Sequence, residues 1–146
     1  MAGPTNSIYT ILIARINTLL SSSDKVKEIF SYPEDKYTKY PVAVYYPNNL
    51  ENSFETNEEN FEVHNFKLFL IVNCQQKKKS EIFNVVMPNL IDDVKEKFNN
   101  GWSGDVINGH RSWLKIDLAT WDTDLASGGE IAFAELNVQI KILTNN

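Results

Sequence analysis

Apolar and polar residues alternate without a break near the end of the chain. From Ala134 to Ile142 every second residue is apolar, and the residues between them are polar. Because side chains on a strand point to alternate faces, this pattern predicts one long strand over Ile131–Leu143 with a buried face and a polar face. A sheet with one solvated face is usually antiparallel and carries helices on its other face.

A second long strand is predicted over Phe61–Cys74, and it is apolar on both faces. One face is apolar at every second residue from Phe66 onward, and the other face still carries Phe69 and Ile71. A strand of this kind lies centrally in a sheet or is covered by a neighbouring chain. Phe69 and Ile71 are therefore candidate residues of a subunit or partner interface.

Two stretches have the residue spacing of amphipathic helices. Ser7–Leu20 gathers its apolar residues on one stripe, and so does Ser80–Phe98, which is followed by the helix-ending pair Asn100-Gly101. Pro88 lies inside the second stretch. A proline there is expected either to kink the helix or to mark its true start.

Shorter apolar runs predict the remaining strands. Val26–Phe30 is a candidate short strand, and Val42–Tyr46 is a strand that we expect to end at Pro47-Asn48-Asn49. Asn108-Gly109 is a strong signal for a two-residue hairpin turn. It precedes a strand over Trp113–Trp121.

The Trp113–Trp121 strand is predicted to place Trp113 and Trp121 together on the face opposite to Leu114, Ile116 and Leu118. The two tryptophans are candidate anchors at a subunit or partner interface. The order of elements is helix, strands, helix, strands. It predicts a single α+β domain over residues 1–146, with a mostly antiparallel sheet and two main helices packed on one face.

Charge and composition restrict the function classes. The 146 residues carry a formal net charge of −5, with a pI of about 5.0, which argues against a surface that grips nucleic acid but permits DNA to pass nearby. No apolar run is long enough to span a membrane, and the first residues lack the pattern of a secretory signal. A lone Cys74 cannot form an internal disulfide, so synthesis inside a cell is expected.

An acidic segment runs from Glu51 to Glu62 and contains no basic residue. We expect it to form an exposed hairpin or a mobile loop. A calcium site there is disfavoured, because such sites combine Asp, Asn and a sharp glycine turn that are missing. A solvated charged loop is the plain alternative to any functional role. The candidate acidic residues are Glu51, Glu55, Glu58, Glu59 and Glu62.

No converging set of catalytic groups is visible. His64 and His110 are expected to be a sheet histidine and a turn histidine, and Cys74 a core cysteine without a base beside it. Gly101–Asp105 resembles a nucleophile elbow but lacks the final glycine and the preceding strand. The chain also has too few cysteines and histidines for a structural zinc site. We therefore expect no catalytic residue, no metal and no cofactor.

Taken together, the layout resembles the tail terminator proteins of long-tailed bacteriophages, also called tail completion or minor tail proteins. The shared features are the amphipathic N-terminal helix, the segment from Val26 through Tyr32-Pro33, the acidic hairpin, the second helix and three strand patterns. Those patterns are Tyr40-Pro41-Val42-Ala43-Val44, Phe61–Cys74, and Trp113–Asp117 paired with Glu130–Ile142.

The resemblance implies an α+β fold and a ring of six copies on the tail tube, within the tail or neck of a virion and made in the host cytoplasm. Such a ring ends tube polymerisation and offers a surface to the connector or head-completion protein of the head. The family has no catalytic residues. In such a ring the five glutamates are expected to line or rim the channel, where DNA slides past without being held, because like charges repel.

Two other classes stay open. One is a different ring protein of the neck or tail, such as the tube subunit, which would form long polymers, or a head-completion protein. The other is a small enzyme or ligand-binding α+β domain, which would need a pocket with converging polar groups.

Overall fold

Six strands form one sheet, and helical segments pack on one of its faces. The computed structural model describes residues 8–33, 37, 39–54, 60–74, 78–102, 106–107, 109–123 and 131–143. The predicted α+β fold is confirmed. The elements are α1 (Ile8–Ser21), β1 (Glu28–Phe30), β2 (Val42–Phe54), β3 (Asn60–Asn73), α2 (Lys79–Glu81), a π-helical turn (Ile82–Val86), α3 (Met87–Gly101), β4 (Val106–Ile107), β5 (His110–Thr123) and β6 (Ile131–Leu143).

The strand order across the sheet is β1-β2-β3-β6-β5-β4. Only β1 and β2 run parallel, and all other neighbours are antiparallel. The two strands with the longest sequence patterns, β3 and β6, lie at the centre. This confirms the central position expected for a strand that is apolar on both faces.

The final strand follows the sequence pattern closely. β6 has the bounds that the alternation predicts, and its residues from Ala132 to Ile142 are buried at every second position. The buried side chains lie on the face that packs against the helices, which we call the inner face. The opposite face, which we call the open face, carries residues such as Glu135 and Gln139.

The strand β2 does not end at Pro47, as the sequence analysis expected. It continues to Phe54, and a bulge between Pro47 and Asn49 shifts its register against β3. Proline has no N–H to donate to a neighbouring strand, so it is tolerated in edge strands and at bulges, where that hydrogen bond is not required. Pro47 meets both conditions, because β1 pairs with β2 only at Val42–Val44.

Pro88 is the second residue of α3, but it does not mark the true start of the predicted helix. The helical backbone continues from α2 through the π turn into α3, with right-handed helical angles at Glu81, Val86 and Met87, so Pro88 lies inside the helix. In the turn before it, the backbone N–H of Met87 donates to the carbonyl of Ile82, the spacing of a π-helix. A proline lacks the N–H that would bond the carbonyl four residues earlier, and its ring crowds that carbonyl. The wider π turn relieves this crowding.

The core lies between the helices and the inner face. The helices contribute Leu12, Ile16 and Leu20 from α1, with Leu90, Val94 and Phe98 from α3, all buried. Two hydrogen bonds tie the elements together. The Tyr45 hydroxyl of β2 donates to the Ile13 carbonyl at 2.9 Å, and the Ser23 hydroxyl donates to Asp93 of α3 at 2.5 Å. Within the described residues, none of the helices has the length and apolar character needed to cross a membrane.

Candidate interface on the sheet

The open face carries an apolar patch at one end, formed by Tyr46, Phe69, Ile71 and Phe133. All four side chains are half-buried, and none belongs to the core between helices and sheet. Tyr46 stacks on Phe69 with ring centroids 6.0 Å apart, and Phe69 also packs on Phe133 at 6.4 Å. The structure thus places Phe69 and Ile71 on the face for which the sequence proposed them.

The other end of the open face carries an aromatic–cation cluster of Phe61, Trp113, Arg111 and Lys141. The ring centroids of Phe61 and Trp113 are 6.1 Å apart. The Lys141 ammonium lies 4.1 Å from the centre of the Phe61 ring, and the Arg111 guanidinium lies 5.9 Å from the Trp113 ring. Trp113 remains 43% exposed. An exposed tryptophan beside an arginine is the composition typical of interface hot spots.

Between these two regions the open face is polar and balanced in charge. Lys67 and Glu135 form an ion pair at 3.6 Å across β3 and β6, and Lys115 pairs with Asp117 along β5 at 3.6 Å. Exposed pairs of this kind contribute little to stability, about 0–1 kcal/mol. Their effect is to keep the middle of the face hydrated, which separates the apolar patch from the aromatic–cation cluster.

Trp121 does not share a face with Trp113, so that prediction is wrong. A bulge between Leu118 and Thr120 adds one residue to β5, and Trp121 then stands opposite Ala134 on the inner face. A single extra residue moves every following side chain to the other face. Trp121 is half-buried and stacks on Phe83. Sequence alternation alone gives no sign of this bulge.

Two of the candidate glutamates lie on described strands. Glu51 belongs to β2 and pairs with Val63, and Glu62 belongs to β3 and lies on the inner face opposite Ile142. The Glu62 carboxylate is 3.0 Å from Nε2 of His64. Glu55, Glu58 and Glu59 lie outside the described residues. A single chain does not test whether the segment faces a channel, which stays a prediction.

The candidate catalytic residues are distributed through the fold. His64 is 2% exposed, and its ring packs against Tyr9 of α1 with centroids 5.0 Å apart. Cys74 is buried, and His110 is the first residue of β5. In the part of the chain that the structure describes, no three His, Cys, Asp or Glu side chains come together as metal ligands would.

Among the described residues, helical segments line at least two open grooves. One is lined by Ala14, Arg15, Thr18, Leu19, Gly101 and Trp102, where the Arg15 guanidinium lies 5.6 Å from the Trp102 ring. The other lies between Lys27 and Asn89 and is partly lined by Val85, which is exposed. Both are open to solvent, and both mix apolar side chains with polar ones, which in the second groove are Asp24, Lys25, Lys27 and Asn89. Ligand sites instead combine an enclosed apolar cavity with several converging polar groups.

The sheet has two long open edges that the sequence did not reveal. β1 covers β2 only at Val42–Val44, and β4 covers β5 only at His110 and Arg111. In the described part of the chain, the edges of Tyr45–Phe54 and Trp113–Thr123 therefore have no strand beside them. Unpaired strand edges are templates for pairing with another chain.

Comparison of the sequence with protein-family models and with curated proteins found no match.

Proposed function

We propose that this protein is a structural subunit of a bacteriophage virion. It assembles into a closed ring that caps the tail tube, ends tube polymerisation and forms the surface to which the head is joined. The observation that carries this proposal is the pair of open edges, β2 and β5, on opposite sides of one sheet. The layout of the chain, which resembles that of tail terminator proteins, supports it.

Edges on opposite sides favour a closed ring over a dimer. When β5 of one copy meets β2 of the next, each added copy covers one edge of each kind and leaves one of each kind free. Such head-to-tail contacts end only when the assembly closes on itself. A ring then leaves no open edge, whereas a two-fold dimer through β2 would leave both β5 edges exposed.

The other surfaces fit a ring that meets further partners. The apolar patch and the aromatic–cation cluster lie on the open face and are separate from the strand edges. They suit contacts with the tail tube protein and with the connector or head-completion protein. The net charge of −5 per copy suits a channel through which DNA passes without being bound. No catalytic residue, metal or cofactor takes part.

Polymerisation of the tube protein encoded by the same phage tests the proposed function. Tubes are assembled with and without this chain and are measured by electron microscopy. We expect shorter tubes that carry a ring at one end when the chain is present. Unchanged tube lengths with bare ends would contradict the proposal. Long polymers of this chain by itself would identify a tube subunit instead.

A further inference from the structure

We propose that neighbouring copies join by adding Tyr45–Phe54 of β2 to the free edge of β5, staggered along the strands so that Ser53 of one copy stands opposite Lys115 of the next. The proposal deepens the ring described above and rests on it. It names the contact surface and its register, neither of which follows from ring formation alone.

The strand directions suit this contact. From β2 through β3 and β6 to β5 every neighbouring pair is antiparallel, so β2 and β5 run in opposite directions within one copy. A second copy that is rotated about an axis along the strands keeps its strand directions. Its β2 therefore arrives antiparallel to β5, and the backbone ladder can continue from one copy into the next.

Without a stagger the two copies would collide. Strand pairing across the sheet puts Glu51 of β2 in one row, perpendicular to the strands, with Val63 of β3, Lys141 of β6 and Trp113 of β5. By the same pairing, Val42 lies in one row with Asp122, and Val44 lies in one row with Thr120. Because β1 occupies the outer edge of β2 at Val42–Val44, it would take the space that β5 of the neighbouring copy already fills.

The two short strands set the smallest possible stagger. A shift of about four residues along the strands moves β1 of one copy beyond the end of β5 at Thr123 of the other, and it moves the end of β2 at Phe54 away from β4. This smallest shift also keeps the greatest length of β2 beside β5. The free stretch Tyr45–Phe54 then lies beside the free stretch of β5, and the two have similar lengths. In this register Asn49 stands opposite Thr120, and Ser53 stands opposite Lys115.

A stagger of this size also fits the geometry of ring closure. Each copy contributes four long strands, so a shift of about four residues per copy equals about one residue per strand. An eight-stranded barrel with a shear of eight has the same ratio of shear to strand number, and its strands are tilted by ~36° from the barrel axis. This tilt lies in the usual range for closed sheets. It holds for any number of copies, so it does not depend on six-fold symmetry.

Paired cysteines test the register. In a chain in which Cys74 is replaced by alanine, Ser53→Cys is combined with Lys115→Cys, and Asn49→Cys with Thr120→Cys in a second variant. Within one copy, the two strands that carry each pair are three strand spacings apart, roughly 14 Å, and the members of each staggered pair are also offset along the strands by about 13 Å. A short thiol crosslinker can therefore join these cysteines only between copies. The matched control is Glu51→Cys with Trp113→Cys, the pair that an unstaggered contact would bring together.

We expect both staggered pairs to give a ladder of crosslinked species that ends at the closed ring, and the control pair to give at least tenfold less product. Electron microscopy of the uncrosslinked variants shows whether rings are present. Rings without crosslinking of either staggered pair, or with preferential crosslinking of the control pair, would overturn the proposed contact but leave the proposed function standing. A parent chain that forms no ring, in solution or on tubes, would overturn both.

Discussion

The indole ring of Trp121 stacks on the phenyl ring of Phe83, with centroids 5.7 Å apart and ring planes inclined by 22°. Phe83 lies in the π turn that precedes α3, and Trp121 lies near the end of β5. The contact therefore packs the π turn of the second helical segment against β5. It exists because the bulge in β5 turns Trp121 towards the helices.

Removal of this stack should destabilise the fold in a coupled way. We expect Phe83→Ala and Trp121→Ala each to lower the free energy of unfolding. The double variant should lose less than the sum of both, with a coupling of about 0.5–1.5 kcal/mol, the usual value for an aromatic pair. Urea unfolding measures all three variants. Trp113→Ala on the open face is the control and should show no coupling with Phe83→Ala. Additive losses for Phe83 and Trp121 would show that the stack contributes nothing.

A charge on the buried side of β6 should prevent folding. Val138 is 1% exposed on the inner face, and its partners on the two neighbouring strands are the apolar residues Phe66 and Ile116. Val138→Asp would bury an unpaired carboxylate, which costs several kcal/mol, a large part of the stability of a small protein. We expect an insoluble protein or one without a cooperative melt. Gln139→Asp, one residue along on the exposed face, is the matched control and should melt like the parent chain. Similar melting curves for both variants would contradict the assigned faces of β6.

Tyr45 should make the stability of the protein fall at alkaline pH. Burial raises the pKa of Tyr45 from 10.0 to about 12. A group whose pKa is higher in the folded state stabilises the fold fully below its unfolded pKa. That contribution is lost as the pH rises through the folded value, here between about pH 10 and pH 12, and it amounts to at most about 3 kcal/mol.

The variant Tyr45→Phe isolates this effect. Below pH 10 it should be less stable than the parent chain by about 1 kcal/mol, since the hydrogen bond to the Ile13 carbonyl is lost. Above that pH the parent chain weakens and the variant keeps its phenyl ring neutral, so the difference should shrink and change sign near about pH 11. Urea unfolding of both proteins at several pH values gives the difference directly. A constant difference from neutral to alkaline pH would contradict the buried, protonated hydroxyl.

The long regular patterns of the sequence predicted most of the fold. β6 and β3 were predicted within one residue at each end. Each has an apolar residue at every second position, from Ala134 to Ile142 in β6 and from Phe66 to Cys74 in β3, and this period of two indicates a strand. Both helices were also predicted within a few residues, since their apolar stripes and end signals agree.

The sequence predicted the open face only in part. It identified Phe69, Ile71 and Trp113, but it missed Phe133 and Arg111, which join them through pairing between strands. Strand order and register depend on contacts between distant segments, which a local pattern does not encode. The misplacement of Trp121 and the early end of β2 have the same cause. Bulges at Leu118–Thr120 and at Pro47–Asn49 change the local geometry without changing the composition.

Ring closure is tested most directly by the mass of the assembled protein, measured over a range of concentrations and combined with electron microscopy of the same samples. We predict one discrete closed species of about 100 kDa, which corresponds to six copies of the 16.7 kDa chain, either in solution or at the end of tail tubes. Ring-shaped particles should be visible in images of that species. A chain that keeps the mass of a single copy at every concentration, with no ring at the end of the tubes, would contradict the proposed function.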